Sequence, residues 1–250
     1  MLFRSLSAGY FDASSDGGTA NLGGFRPGCK NSLIPAAGLL NAPNYASGCT
    51  CNYPVFTSLA LVHMPEAEQW FTNDCRYDGR PVKRLGINLG APGDRRASDG
   101  TLWLDYPSVG GASPDVPVSV EPARPSWFYH HSSWMHGQVP GWIVGSGAEG
   151  IEKLCIRLRG AEETAAPPGK FAVRLYFAEP EKQQPGERVF SVWLQEREVL
   201  PNLDIFAETG AANVGLVKEF RGVAAPDSLS VRLMPRSGKT VLCGVEVIAE

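Results

Sequence analysis

No stretch of the chain approaches the roughly 20 consecutive apolar residues that a membrane-spanning helix needs. An excess of positive charge is missing as well. Lysine and arginine number 23 against 26 aspartate and glutamate, a formal net charge of −3, and no basic patch stands out. That excludes a protein that grips nucleic acid through its phosphates. The first ten residues, Met1 to Tyr10, hold no long apolar core, so they do not read as a signal peptide. Histidine is scarce, with four residues in all. There is no Cys-x-x-Cys redox pair, and no Gly-x-Ser-x-Gly turn to present a serine nucleophile. No long segment carries apolar residues at helical spacing.

What is present is a globular composition. Of 250 residues, 43% are hydrophobic and 20% charged, with 28 glycines and 20 prolines. Such a chain builds one large or two modest domains, and the glycine and proline favour short strands joined by turns. Period-two runs dominate the C-terminal part. Phe171, Val173, Leu175 and Phe177 share one parity, as do Phe190, Val192 and Leu194. Leu229, Val231 and Leu233 alternate again, followed by Val241, Cys243, Val245 and Val247, and earlier Lys83, Leu85, Ile87 and Leu89. Strands apolar on one side bury that side most simply in two packed antiparallel sheets. The expected class is therefore all-β, a sandwich.

Charge density places a boundary. Residues 1–75 hold eight charged side chains, whereas residues 151–250 hold 27. The polar, turn-rich run from Thr72 to Pro81 lies between. We read residues 1–76 and 77–250 as separate domains. The first shows short strands at Leu2–Phe11, Leu33–Leu40 and Leu59–His63, too few to close a core alone.

Six cysteines divide four to two between the ends of the chain. Cys29, Cys49, Cys51 and Cys75 are candidate disulfide cysteines, with three pairings open. Cys49 and Cys51 are too close in sequence for a structural zinc pair. Cys155 and Cys243 read as small buried apolar residues. The four-cysteine group suits an oxidising, extracytoplasmic compartment, periplasmic or secreted. The missing signal then implies a segment of a longer chain or a start assigned late.

Several motifs imitate chemistry. Gly145-Ser146-Gly147-Ala148-Glu149-Gly150 fits a dinucleotide turn, but that mechanism needs a helix to follow, and Leu154, Ile156 and Leu158 resume strand alternation instead. Ser237-Gly238-Lys239-Thr240 resembles the end of a phosphate loop, yet Leu233 stands where its first glycine belongs. His130 and His131 point to opposite faces of an extended chain and do not converge on one ion. No Asp/Asn-rich spacing argues for calcium. Glu179 and Asp204 are the carboxylate pair to test for glycoside cleavage. No cofactor and no metal is expected.

Aromatic residues in turn-rich segments are the stronger signal. Trp103 and Tyr106 lie near one turn, while Trp127, Phe128, Tyr129 and Trp134 cluster, with Trp142 beyond. Sugars present flat C–H faces and a rim of hydroxyls, so aromatic platforms beside a few polar groups suit them. The competing reading of each ring is core packing.

Phe177-Ala178-Glu179-Pro180, Gly186-Glu187-Arg188-Val189-Phe190-Ser191-Val192, Leu203-Asp204-Ile205-Phe206 and Val245-Glu246-Val247 resemble the malectin and malectin-like family. Leu85-Gly86-Ile87-Asn88-Leu89-Gly90-Ala91 with Asp99-Gly100 looks like its opening strand and loop. The similarity covers about residues 82–250. Ser191 stands where the family has aspartate, and Gly90-Ala91 where it has two glycines. The resemblance implies a jelly-roll β-sandwich that binds glucosyl-type carbohydrate without catalysis. Candidate ligand-binding residues are then Trp103, Tyr106, Trp127 and Tyr129 by environment and Asp204 by motif.

Residues 1–75 resemble the closing part of pyrroloquinoline-quinone-type β-propeller repeat proteins. The residues concerned are Gly23 to Cys29, Ile34 to Leu40 and Gly48 to Cys51. That implies a propeller remnant at the C-terminal end of a larger secreted protein. Three readings compete. The first is a carbohydrate-binding module whose partner is an oligosaccharide or glycoconjugate. The second is a sandwich bracing an upstream propeller domain, and the third is a glycoside-active enzyme.

Overall fold

Alternation along the strands sets the architecture. In Gly169–Phe177 the side chains of Phe171, Val173, Leu175 and Phe177 are all buried, while Lys170, Arg174 and Tyr176 take the other face. Phe190, Val192 and Leu194 behave likewise in Val189–Leu194. Each such aliphatic or aromatic side chain contributes about 1.5–3 kcal/mol when sealed from water, so the register of every strand follows from keeping this face inward. The computed structural model describes residues 2–5, 7–13, 17–23, 25–28, 32–44, 58–62, 64, 68–73, 80–108, 110, 113–159 and 169–250.

The chain falls into two compact units, Met1–Asn73 and Asp74–Glu250. The first contains β1 (Leu2–Ser5), β2 (Ser7–Phe11), β3 (Thr19–Asn21), β4 (Ile34–Ala36), β5 (Leu39–Ala42) and β6 (Leu59–Val62). They form two antiparallel sheets, β1-β2-β3 and β4-β5-β6. The single strands expected at Leu2–Phe11 and Leu33–Leu40 are both hairpins. The second reverses at Ala37 and Gly38, which hold positive φ angles of 51° and 75°, the geometry of a tight hairpin turn. Ala8, Phe25, Leu33 and Ala42 make a small core of their own. Cys29, Cys49, Cys51 and Cys75, the expected disulfide group, lie outside the described residues.

The second unit is the sandwich. Its strands are β7 (Arg84–Leu89), β8 (Arg95–Arg96), β9 (Leu102–Tyr106), β10 (Val118–Glu121), β11 (Ser126–Tyr129), β12 (Ser146–Glu149) and β13 (Lys153–Arg157). They continue as β14 (Gly169–Phe177), β15 (Val189–Leu194), β16 (Arg197–Leu203), β17 (Leu216–Ala225), β18 (Ser228–Ser237), β19 (Val241–Leu242) and β20 (Gly244–Ala249). One sheet runs β10-β13-β18-β15-β16, the other β17-β14-β20-β7-β9-β8. Pairing is antiparallel except between β7 and β9. The inward faces of both sheets meet in one core that includes Leu85, Ile87, Leu154, Ile156, Val173, Leu175, Phe190, Val192, Val231 and Val245.

A partial third layer lies on the outer face of the six-stranded sheet. It is built from α1 (Gly141–Val144) and a 3₁₀ turn at Ser132–Trp134, beside the small sheet β11-β12-β19, whose Ala148, Val241 and Leu242 belong to the main core. Asn88 fastens it, donating from Nδ2 to the Trp142 carbonyl at 3.0 Å and accepting from the Ser146 hydroxyl at 3.2 Å. Under this cover Trp103, Ile143, Val144, Tyr176 and Cys243 form a second apolar cluster.

Two readings of the sequence are settled here. The glycine-rich run at residues 145–150 is the end of α1 followed by β12, and β13 comes next, so no helix meets a pyrophosphate. Cys243 is buried, but Cys155 is only half-buried, because Leu154 and Ile156 take the inward positions on β13. Among the described residues no helix is long and apolar enough to cross a membrane.

Candidate carbohydrate site

The C-terminal ends of β7 and β9 and the segment leading into β10 enclose a cleft of about 330 Å³ at the open edge of the sandwich. Ile87 and Leu104, both members of the main core, form its apolar floor. Val116 and Val118 supply one wall, and Asp105, Tyr106, Ser108, Ser113 and Asp115 the polar rim. Alternation explains the mixture. Leu104 faces inward, and Tyr106, of the same parity, reaches the end of the strand, where the core gives way to solvent.

The rim is held in shape by hydrogen bonds. Asp94 is buried, and its Oδ1 accepts from the Asp105 backbone N–H at 3.1 Å. The Ser113 hydroxyl lies 2.9 Å from both Asp94 carboxylate oxygens. One buried carboxylate thus joins the two walls. Asp115 is exposed.

The structure brings three of the five sequence candidates together. Tyr106 meets Trp127 edge-on, with centroids 6.1 Å apart and planes at 68°. Tyr129 stands two residues along β11 from Trp127, hence on the same face, and is 45% exposed. A band of rings therefore leads from the cleft across β11. Sequence reasoning missed Asp105, Ser113 and Asp115. Their signal was the placement of small polar residues in the proline-rich turns after β9, which became informative only once the cleft was known.

The other two candidates sit elsewhere. Trp103 is 2% exposed. Its ring lies across Gly86, where an added Cβ would come within 2.1 Å of the indole, and beside Gly244 at 3.0 Å. Tyr176 and Trp142 contact it edge-on at 5.2 and 5.7 Å. Trp103 is a packing residue with no open face. Asp204 is the N-cap of α2 (Ile205–Thr209), with Oδ1 accepting from Ala207 N–H at 2.9 Å. Its Oδ2 accepts from Gly186 N–H at 2.7 Å, pinning the loop before β15. Gly210, at φ 76°, ends the same helix in the left-handed conformation that glycine adopts without a Cβ penalty.

The carboxylate pair fares no better as a catalyst. Glu179 has no solvent exposure and faces Arg188, whose Nε lies 2.8 Å from its Oε2. Arg188 also reaches Glu149 at 2.5 Å and the Lys239 carbonyl at 3.0 Å. Burial pushes the Glu179 carboxyl up, and the Arg188 charge and hydrogen bond offset this only in part. A sealed carboxylate cannot touch a glycosidic bond. Asp204, meanwhile, has a backbone N–H on each oxygen.

Charge also gathers on the outer face of the six-stranded sheet. Glu246, 2% exposed, accepts from Thr101 at 2.8 Å, Arg84 at 3.3 Å, Arg174 at 3.1 Å and the Tyr176 hydroxyl at 3.1 Å. Burial and then the Glu246 charge push the Tyr176 hydroxyl well up. Arg84 additionally pairs with Asp99. Every arm of this hub ends on another protein group, which marks it as structural. Among the described residues no group of three His, Cys, Asp or Glu stands in metal-binding geometry.

Comparison with known proteins bears on the sandwich, and one match extends beyond it. The Malectin domain family model matches residues 164–239. A β-glucuronidase of Bacteroides uniformis is similar in structure, with a TM-score of 0.54 and 16% identity over 85% of this chain and 22% of that one. The plant receptor-like kinase ANX2 gives a TM-score of 0.50 and 13% identity over 68% of this chain and 48% of that one. This chain therefore spans about a fifth of the glucuronidase and about half of the ANX2 structure. No curated protein sequence matches. Nothing in these matches supports a propeller relation for residues 1–76. At such identities the structural likeness speaks to the fold alone. Residues 164–239 are similar to a Malectin domain, and the sandwich around them is an all-β, malectin-like fold.

Proposed function

We propose that the sandwich is a non-catalytic carbohydrate-binding module, and that the cleft beside Tyr106 receives a glucosyl-type unit of an oligosaccharide or glycoconjugate. One observation carries this reading. A hollow of about 330 Å³ has an apolar floor, an aromatic ring and carboxylate and hydroxyl groups on a single rim. A pyranose offers complementary surfaces, with C–H groups for Tyr106 and hydroxyls that donate to Asp115. Trp127 and Tyr129 extend the aromatic surface for neighbouring units of a chain. Trp103 and Asp204 act at a distance, one by packing β9 and the other by fixing the Gly186 loop. The Malectin match supports a binding role, and the burial of Glu179 speaks against the carboxylate pair that the sequence offered first for hydrolysis.

The setting we infer is extracytoplasmic, within a larger secreted protein, with Cys29, Cys49, Cys51 and Cys75 paired as disulfides. Peptide mapping without reductant on protein exported to an oxidising compartment tests that part. All four thiols free would contradict it.

The binding itself is tested by titrating the folded protein with cellohexaose and laminarihexaose while following amide and indole resonances. Shifts confined to residues around Tyr106, Asp115 and Trp127, and lost in Tyr106→Ala, are the expected result. Shifts absent at millimolar sugar on folded protein would refute the proposal.

A further inference from the structure

Charge is spread unevenly around the cleft. Residues 97–123 carry Asp99, Asp105, Asp115 and Glu121 and no lysine, arginine or histidine. Asp105 and Asp115 line the cleft, and among the described residues that line it none is basic. Asp94 adds a third carboxylate behind the rim, where it accepts from the Ser113 hydroxyl and the Asp105 backbone N–H. The arginines nearest in sequence are engaged elsewhere. Arg95 lies over the Trp142 ring at 4.9 Å, Arg96 donates to the Gly100 carbonyl at 3.1 Å, and Arg84 pairs with Asp99 and Glu246.

The hollow exists independently of this charge. Ile87 and Leu104 floor it, Val116 and Val118 wall it, and its volume of about 330 Å³ suits one small ring. Apolar walls with charge of one sign concentrate the electric field inside such a cleft. A cationic guest gains from that field, and a carboxylate is repelled by it.

Resting on the carbohydrate reading above, we propose that the cleft selects sugars bearing a free amine, with the ammonium of a hexosamine unit seated at Asp115, and that it rejects uronates. A sugar hydroxyl offers the rim one proton. An ammonium offers three and a full charge, and its hydrogen bonds to a carboxylate are about twice as strong. The amine replaces a single hydroxyl and leaves the C–H faces of the ring unchanged, so the apolar floor is used as before. A lysine side chain carries the same charge, but its thin alkyl stem leaves that floor and the Tyr106 ring partly uncovered.

The test titrates the native chain, Tyr106→Ala, Asp115→Asn and Glu121→Gln with cellohexaose, hexaglucosamine, its fully N-acetylated form, hexagalacturonate and trilysine, at mildly acidic pH where the sugar amine is protonated. Asp115 is exposed, so its replacement leaves the fold intact, which the amide spectrum checks. Glu121 pairs with Lys153 at 3.4 Å, outside the cleft lining, and its variant controls for general attraction to an acidic chain. Hexaglucosamine should bind about ten-fold more tightly than cellohexaose. The preference should vanish on N-acetylation and in Asp115→Asn, persist in Glu121→Gln, and narrow as salt is raised. Equal affinity for the two hexamers, with both lost in Tyr106→Ala, overturns this inference and leaves the cleft standing as a neutral-sugar site. Shifts with none of the sugars overturn both. A preference that survives in Asp115→Asn, or hexagalacturonate bound as well as hexaglucosamine, overturns the charge selection. Trilysine bound as tightly as hexaglucosamine assigns the rim to a basic peptide and also overturns it.

Discussion

Arg188 Nε lies 2.8 Å from Glu179 Oε2, and both side chains are almost wholly removed from water. Each residue makes the other tolerable. Truncating one member of such a pair leaves an uncompensated charge in the interior, which typically costs about 3–5 kcal/mol. Arg188→Ala should therefore lower stability by about that amount near neutral pH, read from urea unfolding. The deficit should shrink in acid, where Glu179 takes up a proton. An equal deficit at all pH values would mean that Glu179 is not the group left stranded.

The same pair predicts a pH slope. Because burial holds the Glu179 carboxyl above its ordinary value, the folded protein keeps a proton that the unfolded chain has already released. Stability falls as pH rises across that interval and levels off above it. Asp99 and Glu219 are held below their usual values and give slopes of the opposite sign. The comparison must therefore be between the native chain and Glu179→Gln. The variant should lack the component that falls as pH rises above the ordinary glutamate range. Superimposable stability profiles would contradict the assignment.

Gly86 and Trp103 make a packing prediction. A methyl group at position 86 would enter the indole ring, and neither strand can move without disturbing the core. Gly86→Ala should destabilise by about 1–3 kcal/mol. Trp103→Leu in that background should recover part of the loss, a coupling that a double-mutant cycle detects. Strict additivity would argue against the contact.

At the cleft, Asp115 is exposed, so Asp115→Ala should change stability by no more than about 0.5 kcal/mol. Loss of its charged hydrogen bond to a sugar hydroxyl should weaken cellohexaose binding about ten-fold. Calorimetry on the two proteins measures the ratio. Unchanged affinity would remove Asp115 from the site.

Cys243 is buried, and burial pushes its thiol up to about 12. It should resist alkylation in the folded protein and react only as fast as the chain unfolds, whereas half-buried Cys155 should react earlier. Mass spectrometry of timed iodoacetamide reactions distinguishes the two. Simultaneous labelling would mean that the outer layer opens locally.

The sandwich was readable because its strands alternate without ambiguity: Phe171 to Phe177 and Leu229 to Leu233 can face only one way. Tyr106, Trp127 and Tyr129 were readable as candidates because they lie near strand ends in turn-rich sequence, but nothing local placed Tyr106 beside Trp127. Trp103 misled for a physical reason. Its parity, opposite to Leu102 and Leu104, marks a residue facing away from the main core. The sequence does not show that α1 and the turn at Ser132–Trp134 cover that face. Asp204 misled because an aspartate that caps a short helix and one that meets a ligand look alike in a single sequence. The cleft itself arises from β7, β9 and the approach to β10 meeting at one edge, a long-range fact that no local pattern encodes.

Cover on both sides of β7 and β20 leaves the centre of the six-stranded sheet without a wet face. Backbone amides there, from Ile87 and Asn88 to Val245, have no route to deuterium through surface fraying. Their exchange should be the slowest in the molecule and should report the free energy of complete unfolding.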